Sequence, residues 1–172
     1  MAGERRGGER QRAGDPDRRG RDGVSHDRDA LRAWLALLGT ANAVKKGVDT
    51  RLRQRFGLSI ARFDVLAALD RAGEDGLTAG GLTSRLKVTE GNTTQVTAPL
   101  VEAGLVERRP DPNDRRVAIF RLSPEGRALF AQMAAENRSW IDAAFAGLST
   151  AEIARLRDLL GALQPPLHKE AA

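Results

Sequence analysis

GLVERRPDPNDRRVAIFRL, residues 104–122, decides how this chain is read. Leu105-Val106 open an extended run, and Val117-Ala118-Ile119-Phe120 resume an apolar, β-branched one. Between them, Pro110 and Pro112 lack the N–H a strand interior needs, and Asp111, Asn113 and Asp114 favour turns. The stretch predicts strand, tight turn, strand. Arg115 and Arg116 sit at the tip, with Arg108 and Arg109 on the approach strand. A basic finger of this kind suits a groove walled by phosphates. For a hairpin alone, ordinary solvated charge is the stronger reading; the preceding segment changes the balance.

That segment reads as two short helices. Thr78 is a candidate N-cap for a helix over Ala79–Leu86, with Leu82 and Leu86 four apart on one face. Lys87-Val88 is the turn and Thr89 a second N-cap. The next helix runs to about Ala103, where Gly104 suits the C′ position. Val96, Leu100 and Val101 form its inward stripe. Helix, turn, helix and basic hairpin make the winged helix-turn-helix pattern, in which the second helix enters the major groove.

With these residues placed, the chain resembles the multiple antibiotic resistance regulator (MarR) family. The likeness rests on Gly91-Asn92, Leu100, Gly104-Leu105-Val106, Arg108, Asp114-Arg115-Arg116, Leu122 and Gly126, and extends more weakly over Leu31 to Leu163. It implies a dimeric bacterial transcription factor with a recognition helix in the major groove and a wing arginine in the minor groove. Two departures stand out. Pro99 lies inside the recognition helix and removes the N–H that would reach the Gln95 carbonyl, a cost of about 3 kcal/mol in an undistorted helix. Gly80-Gly81 weaken the helix before it by up to about 1 kcal/mol each.

The chain has 172 residues, enough for one domain with a real core, and a net charge of +5 that is compatible with nucleic acid without demanding it. It has no cysteine, which excludes disulfides and thiolate metal sites, and its two histidines, His26 and His168, lie near opposite ends. No catalytic residue, metal site or cofactor is expected: nucleophile–base pairing, metal-ligand spacing and a phosphate-cradling glycine loop are all missing from the pattern. No run of about 18 apolar residues occurs, and the N-terminus lacks an apolar signal region. The expectation is a cytoplasmic protein without membrane contact.

Around the central motif, residues 1–27 are built from Arg, Gly, Asp and Glu and predict a disordered tail. Asp29 to Phe56 reads as one long helix, with Trp34, Leu38, Ala41, Val44, Val48, Leu52 and Phe56 at helical spacing. Ser59 caps a second helix over Ile60–Arg71, with Ile60, Phe63, Leu66 and Leu69 as its buried stripe. Ser123-Pro124-Glu125-Gly126 starts a helix that reaches Phe145, and Ser149 to Glu152 is a capping box for a last helix to Leu163. The expected fold is mainly α with a small β-hairpin, a winged helix-turn-helix DNA-binding lobe flanked by N- and C-terminal dimerisation helices. Its domain spans residues 28–164: 28–57 and 123–164 dimerise, 58–122 bind DNA, and 165–172 form a C-terminal tail. The sequence supports the dimer only through apolar surface wider than one small domain needs.

The expected DNA contacts follow from residue chemistry. Thr89, Asn92, Thr93, Thr94 and Gln95 occupy the first turns of the recognition helix, with no arginine or lysine among them. Asn and Gln can grip adenine, and threonine methyls can meet the thymine methyl, so base reading should centre on A·T pairs. Arg85 and Lys87 are phosphate candidates. Arg108 approaches the tip, Arg115 or Arg116 enters the minor groove, and Asp114 orients one of them. A symmetric dimer calls for a pseudo-palindromic double-stranded operator. The resemblance further implies a small effector, an aromatic acid or its CoA thioester, for which Trp34, Arg62, Phe63 and Asp64 offer a stacking surface and charged groups. The competing reading is a protein-interaction module on a degenerate helix-turn-helix, motivated by Glu90, Pro99 and the missing recognition-helix arginine.

Overall fold

The computed structural model describes residues 17–86, 90–112, 114 and 116–163, without the side chains of 17–25 and 90–92. Its elements are α1 (Asp17–Phe56), α2 (Ile60–Ala72), a 3-10 turn (Gly73–Asp75), β1 (Leu77–Thr78), α3 (Ala79–Leu86), α4 (Glu90–Glu102), β2 (Val106–Pro110), β3 (Ala118–Leu122), α5 (Pro124–Ala144) and α6 (Thr150–Ala162). Mainly helical with one small antiparallel sheet, this is the expected class. The chain divides into two units, one ending at Asn42 and the other beginning at Ala43.

The first unit holds the N-terminal part of α1. That helix begins at Asp17, not Asp29, so the part of the anticipated tail from Asp17 onward is helical. Extending an existing helix fixes one residue per hydrogen bond gained, which a charged segment tolerates far better than nucleation. Residues 1–16 and 164–172 lie outside the described residues. Leu31, Trp34, Leu35 and Leu38 share one face of this helix and are all exposed.

The second unit is organised around α2. Ser59 caps it, accepting from the Arg62 N–H at 3.4 Å, and the Asp49 carboxylate of α1 takes the Ile60 N–H at 2.7 Å. Five consecutive residues, Val65 to Leu69, are buried where one stripe was expected. The reason is tertiary: α3, α4, α5 and β3 all pack on α2. Leu52, Leu66, Leu69, Leu82, Leu100 and Met133 are the large side chains withdrawn completely from solvent at the centre of this core.

A third strand, β1, is an addition to the expected hairpin. The sheet order is β1-β3-β2, with Leu77 opposite Phe120 and Val106 opposite Leu122. Thr78 serves both elements: it pairs with Ile119 and its hydroxyl accepts from the Gly81 N–H at 3.1 Å, capping α3. Pro110 is the last residue of β2, opposite Ala118. An edge strand tolerates a proline there because its N–H side needs no partner.

The joint between α4, the sheet and α5 is tight. Gly104, at φ 70°, ends α4, with Gly104 N–H donating to Val101 O and Leu105 N–H to Leu100 O, the paired bonds of a Schellman stop. The Ser123 hydroxyl donates to Gly104 O at 2.7 Å and accepts from Gly126 N–H at 2.9 Å. Ser123 N–H donates to Leu105 O. Gly126 presses so closely on Leu105 that an added Cβ would collide with its carbonyl oxygen. Beyond α5, the Ser149–Glu152 capping box starts α6, on which Ile153, Leu159 and Leu160 are exposed, as are Leu148 before it and Leu163 after it.

Candidate nucleic-acid interface

The α3–α4 pair is held by threonines. Thr83 and Thr93 hydroxyls meet at 2.9 Å, and Thr93 is 2% exposed. The sequence put Thr93 among the expected DNA contacts, but it does not lie on the exposed face of α4: its side chain is spent on locking α4 against α3. Thr97, 3% exposed, turns inward one turn later and donates to Thr93 O at 3.0 Å. With 93 and 97 inside, the opposite face comprises Thr94, Gln95 and Ala98, all exposed. Gly91 falls on the same face by helical register, at i, i+3, i+4 and i+7. Ala98 is a residue the sequence reading missed, because a search for polar side chains passes over a methyl group. Its signal was present: extending the spacing from Gly91 past Gln95 reaches it.

Asn92 belongs to α4, but its side chain lies outside the described residues, as do Lys87, Thr89 and Arg115 altogether. Pro99 does not end the helix: α4 continues to Glu102, and Ala103 N–H donates to Pro99 O at 3.1 Å. The loss is confined to one missing donor. Arg85 is exposed in the last turn of α3, where a cation also complements the helix dipole.

At the wing tip, Asp114 organises the turn. Its carboxylate accepts from Arg116 Nε at 3.1 Å, Arg116 Nη2 at 3.3 Å and the Arg116 backbone N–H at 3.0 Å. These bonds, the guanidinium's first, hold the Asp114 carboxyl below its usual range. The Arg116 side chain is 91% exposed, so its charge is oriented yet free to meet a ligand. Arg108 is exposed on β2. Arg109 pairs with Glu107 at 2.7 Å.

The residues considered for an effector fall in different settings. Trp34, 55% exposed, is on the N-terminal unit. Phe63 packs on Phe130, ring centroids 5.6 Å apart, and so contributes to the core. Arg62 beside it is half-buried; Asp64 is exposed, yet desolvation pushes its carboxyl up against the pull of Lys45 and Arg71. Nothing in the sequence hinted at a cation–aromatic contact, Arg51 over the Trp140 ring at 5.8 Å. Among the described residues there is no cluster of three or more acidic or histidine side chains able to hold a metal, and no helix long and apolar enough to cross a membrane.

A three-stranded sheet with a basic tip, set behind a helix pair whose second member shows a solvent-facing stripe of small and polar residues, defines a winged helix-turn-helix protein of the DNA-binding class. Comparison places it more closely. Residues 56–117 match the model of the MarR family. The chain is 31% identical to the uncharacterized HTH-type transcriptional regulator Mb0904 of Mycobacterium bovis, over 60% of this chain and 68% of that one. It is 28% identical to the HTH-type transcriptional repressor IacR of Pseudomonas putida, over 64% and 65% of the two chains. Among solved structures, Sco3205 of Streptomyces coelicolor, a MarR family transcriptional regulator in complex with DNA, superposes with a TM-score of 0.69 at 22% identity, covering 79% of this chain and 88% of that one. The chain belongs to the MarR family of DNA-binding transcription regulators.

Proposed function

We propose that this chain acts in the cytoplasm as a homodimeric repressor that reads a pseudo-palindromic operator and is released by a small aromatic acid or its CoA thioester. The observation that carries the operator reading is the α4 face of Gly91, Thr94, Gln95 and Ala98, backed by the buried Thr83–Thr93 contact. Gln95 offers a bidentate grip on adenine, and Thr94 and Ala98 offer methyl groups to thymine. Arg116, oriented by Asp114, supplies the minor-groove cation, and Arg85 and Arg108 supply phosphate contacts. Repression is supported by the likeness to IacR, and DNA as partner by the Sco3205 complex.

Dimerisation is supported by the apolar residues left exposed on α1 and around α6. Two copies related by a two-fold axis would place their α4 helices on half-sites about one helical turn apart. The interaction-module reading is not favoured, since Pro99 leaves α4 continuous and the relatives are transcription regulators.

An anisotropy titration against the DNA flanking the chain's own gene, at two salt concentrations, tests this reading. Tight, sequence-selective binding that weakens with salt is expected. Equal, weak binding to that DNA and to random DNA overturns it. An effector then has to change the operator affinity, because only a ligand with differential affinity shifts the equilibrium.

A further inference from the structure

A cleft of about 600 Å³, with charged side chains among its lining, lies on the side of the wing sheet that faces the start of α5. Glu107 and Arg121 stand opposite each other across β2 and β3, and Arg109 follows two residues along the same face. Arg127 of α5 and Glu74 of the 3-10 turn close the far side. The five charged groups comprise three guanidiniums and two carboxylates, so positive charge is in surplus. Both carboxylates are already engaged, Glu107 with Arg109 at 2.7 Å and Glu74 with Arg127 at 2.9 Å.

Arg121 is the guanidinium left over. Its Nε is buried and has no hydrogen-bond partner among the described residues. Its aliphatic stem lies close against Gly76, where an added Cβ would lie 2.6 Å from Arg121 Cγ. A buried N–H on a charged group is costly to leave unmade. The two terminal nitrogens of a guanidinium form a planar fork that matches two oxygens on one centre, as in a carboxylate or a phosphate. Leu122 and Ala131 give the cleft an apolar wall, and its volume is that of a small-molecule site.

We propose that this cleft is a binding site for a small oxyanion, with Arg121 as the principal ligand and Arg109 and Arg127 as the flanking cations. Nothing in it draws on the α4 face or the wing tip, so the proposal stands apart from the operator reading. The two exposed arginines can swing from their glutamates to the ligand, since exposed pairs of this type hold weakly.

The test is calorimetric titration of the full chain with two probes, inorganic phosphate and hexanoate, at low ionic strength. Phosphate binding alone marks a site for a phosphate group; hexanoate binding alone, or the tighter of the two, marks a site for an organic carboxylate. Arg121→Gln is expected to weaken the bound probe at least tenfold, and Arg109→Gln, at an exposed position, severalfold. Arg138→Gln, at an exposed arginine of α5 outside the cleft, should leave the affinity unchanged. Amide resonances of β2 and β3 should shift on titration while those of α6 do not. The proposal is overturned if neither probe binds, if Arg138→Gln weakens binding as much as Arg109→Gln does, or if the shifts spread evenly over the arginine-bearing surface. Arg109→Gln keeps the test decisive should Arg121→Gln fail to fold.

Discussion

On the proposed reading, single side chains on the wing and on α4 carry separable tasks. Arg116 is an exposed charge steadied by Asp114, its one ion-pair partner among the described residues. Arg116→Ala should weaken binding to every DNA sequence alike and lower the salt slope by about one, measured by anisotropy across a salt series; an unchanged slope would remove Arg116 from the interface. Gln95 and Thr93 make a sharper contrast. Gln95→Ala should relax discrimination at one base position, worth about 1–3 kcal/mol for a good bidentate contact, without lowering the melting temperature. Thr93→Val should do the reverse, costing about 1 kcal/mol of stability through the lost hydroxyl pair while preserving sequence preference. If Thr93→Val alters base preference and Gln95→Ala does not, the inward and outward faces of α4 are misassigned. The sequence placed both side chains near the DNA because a run of polar residues does not announce its inner face. Only the packing of α3 against α4 decides which of them is consumed. Ala98 is the converse case, an apolar residue that packing leaves on the outer face.

At the level of elements, the joints are more informative than the helices. A methyl group at Gly126 cannot be accommodated without moving Leu105 or α5. Gly126→Ala should cost about 1–3 kcal/mol or more in thermal unfolding, and a stability within a few tenths of wild type would show that the joint is loose. The α1–α2 joint has its own signature. Asp49 accepts from Ile60 N–H and from Arg53, and these bonds, the Ile60 bond first, hold its carboxyl below the usual 3.8. Because the folded value is the lower one, the stabilisation is present above the unfolded value and is lost as pH falls through the folded one. Asp49→Asn should flatten the decline in melting temperature below about pH 4, since the charge that titrates is gone; an identical acid limb would rule the group out. The hairpin, both capped C-terminal helices and the Gly104 stop were legible because each has a local chemical cause. The β1 strand was not: two residues long, it exists only because β3 runs alongside. Pro99 announced a disturbance, yet the neighbouring turns hold α4 together around one absent donor.

For the molecule as a whole, the apolar residues left in solvent are the least local feature. Leu31, Trp34, Leu35 and Leu38 lie at one end of the sequence and Leu159, Leu160 and Leu163 near the other. Leu159→Glu should shift the protein from dimer to monomer in sedimentation equilibrium and reduce operator affinity without altering the α4 face. A wild-type protein that sediments as a monomer at micromolar concentration would withdraw the dimer. Sequence reading could see that the outer helices had apolar surface to spare, but burial within one chain is settled only by folding it.

The Ser123 joint has a mechanical consequence. One hydroxyl links the residue that stops α4 to the turn that starts α5, and Gly126 seats the second helix on the first one's exit with no slack. The joint behaves as a weld and not as a pivot. A torque applied along α5 would pass through it to the end of α4, and a small twist at one helix would become a tilt of the α4 face proposed to meet the base pairs.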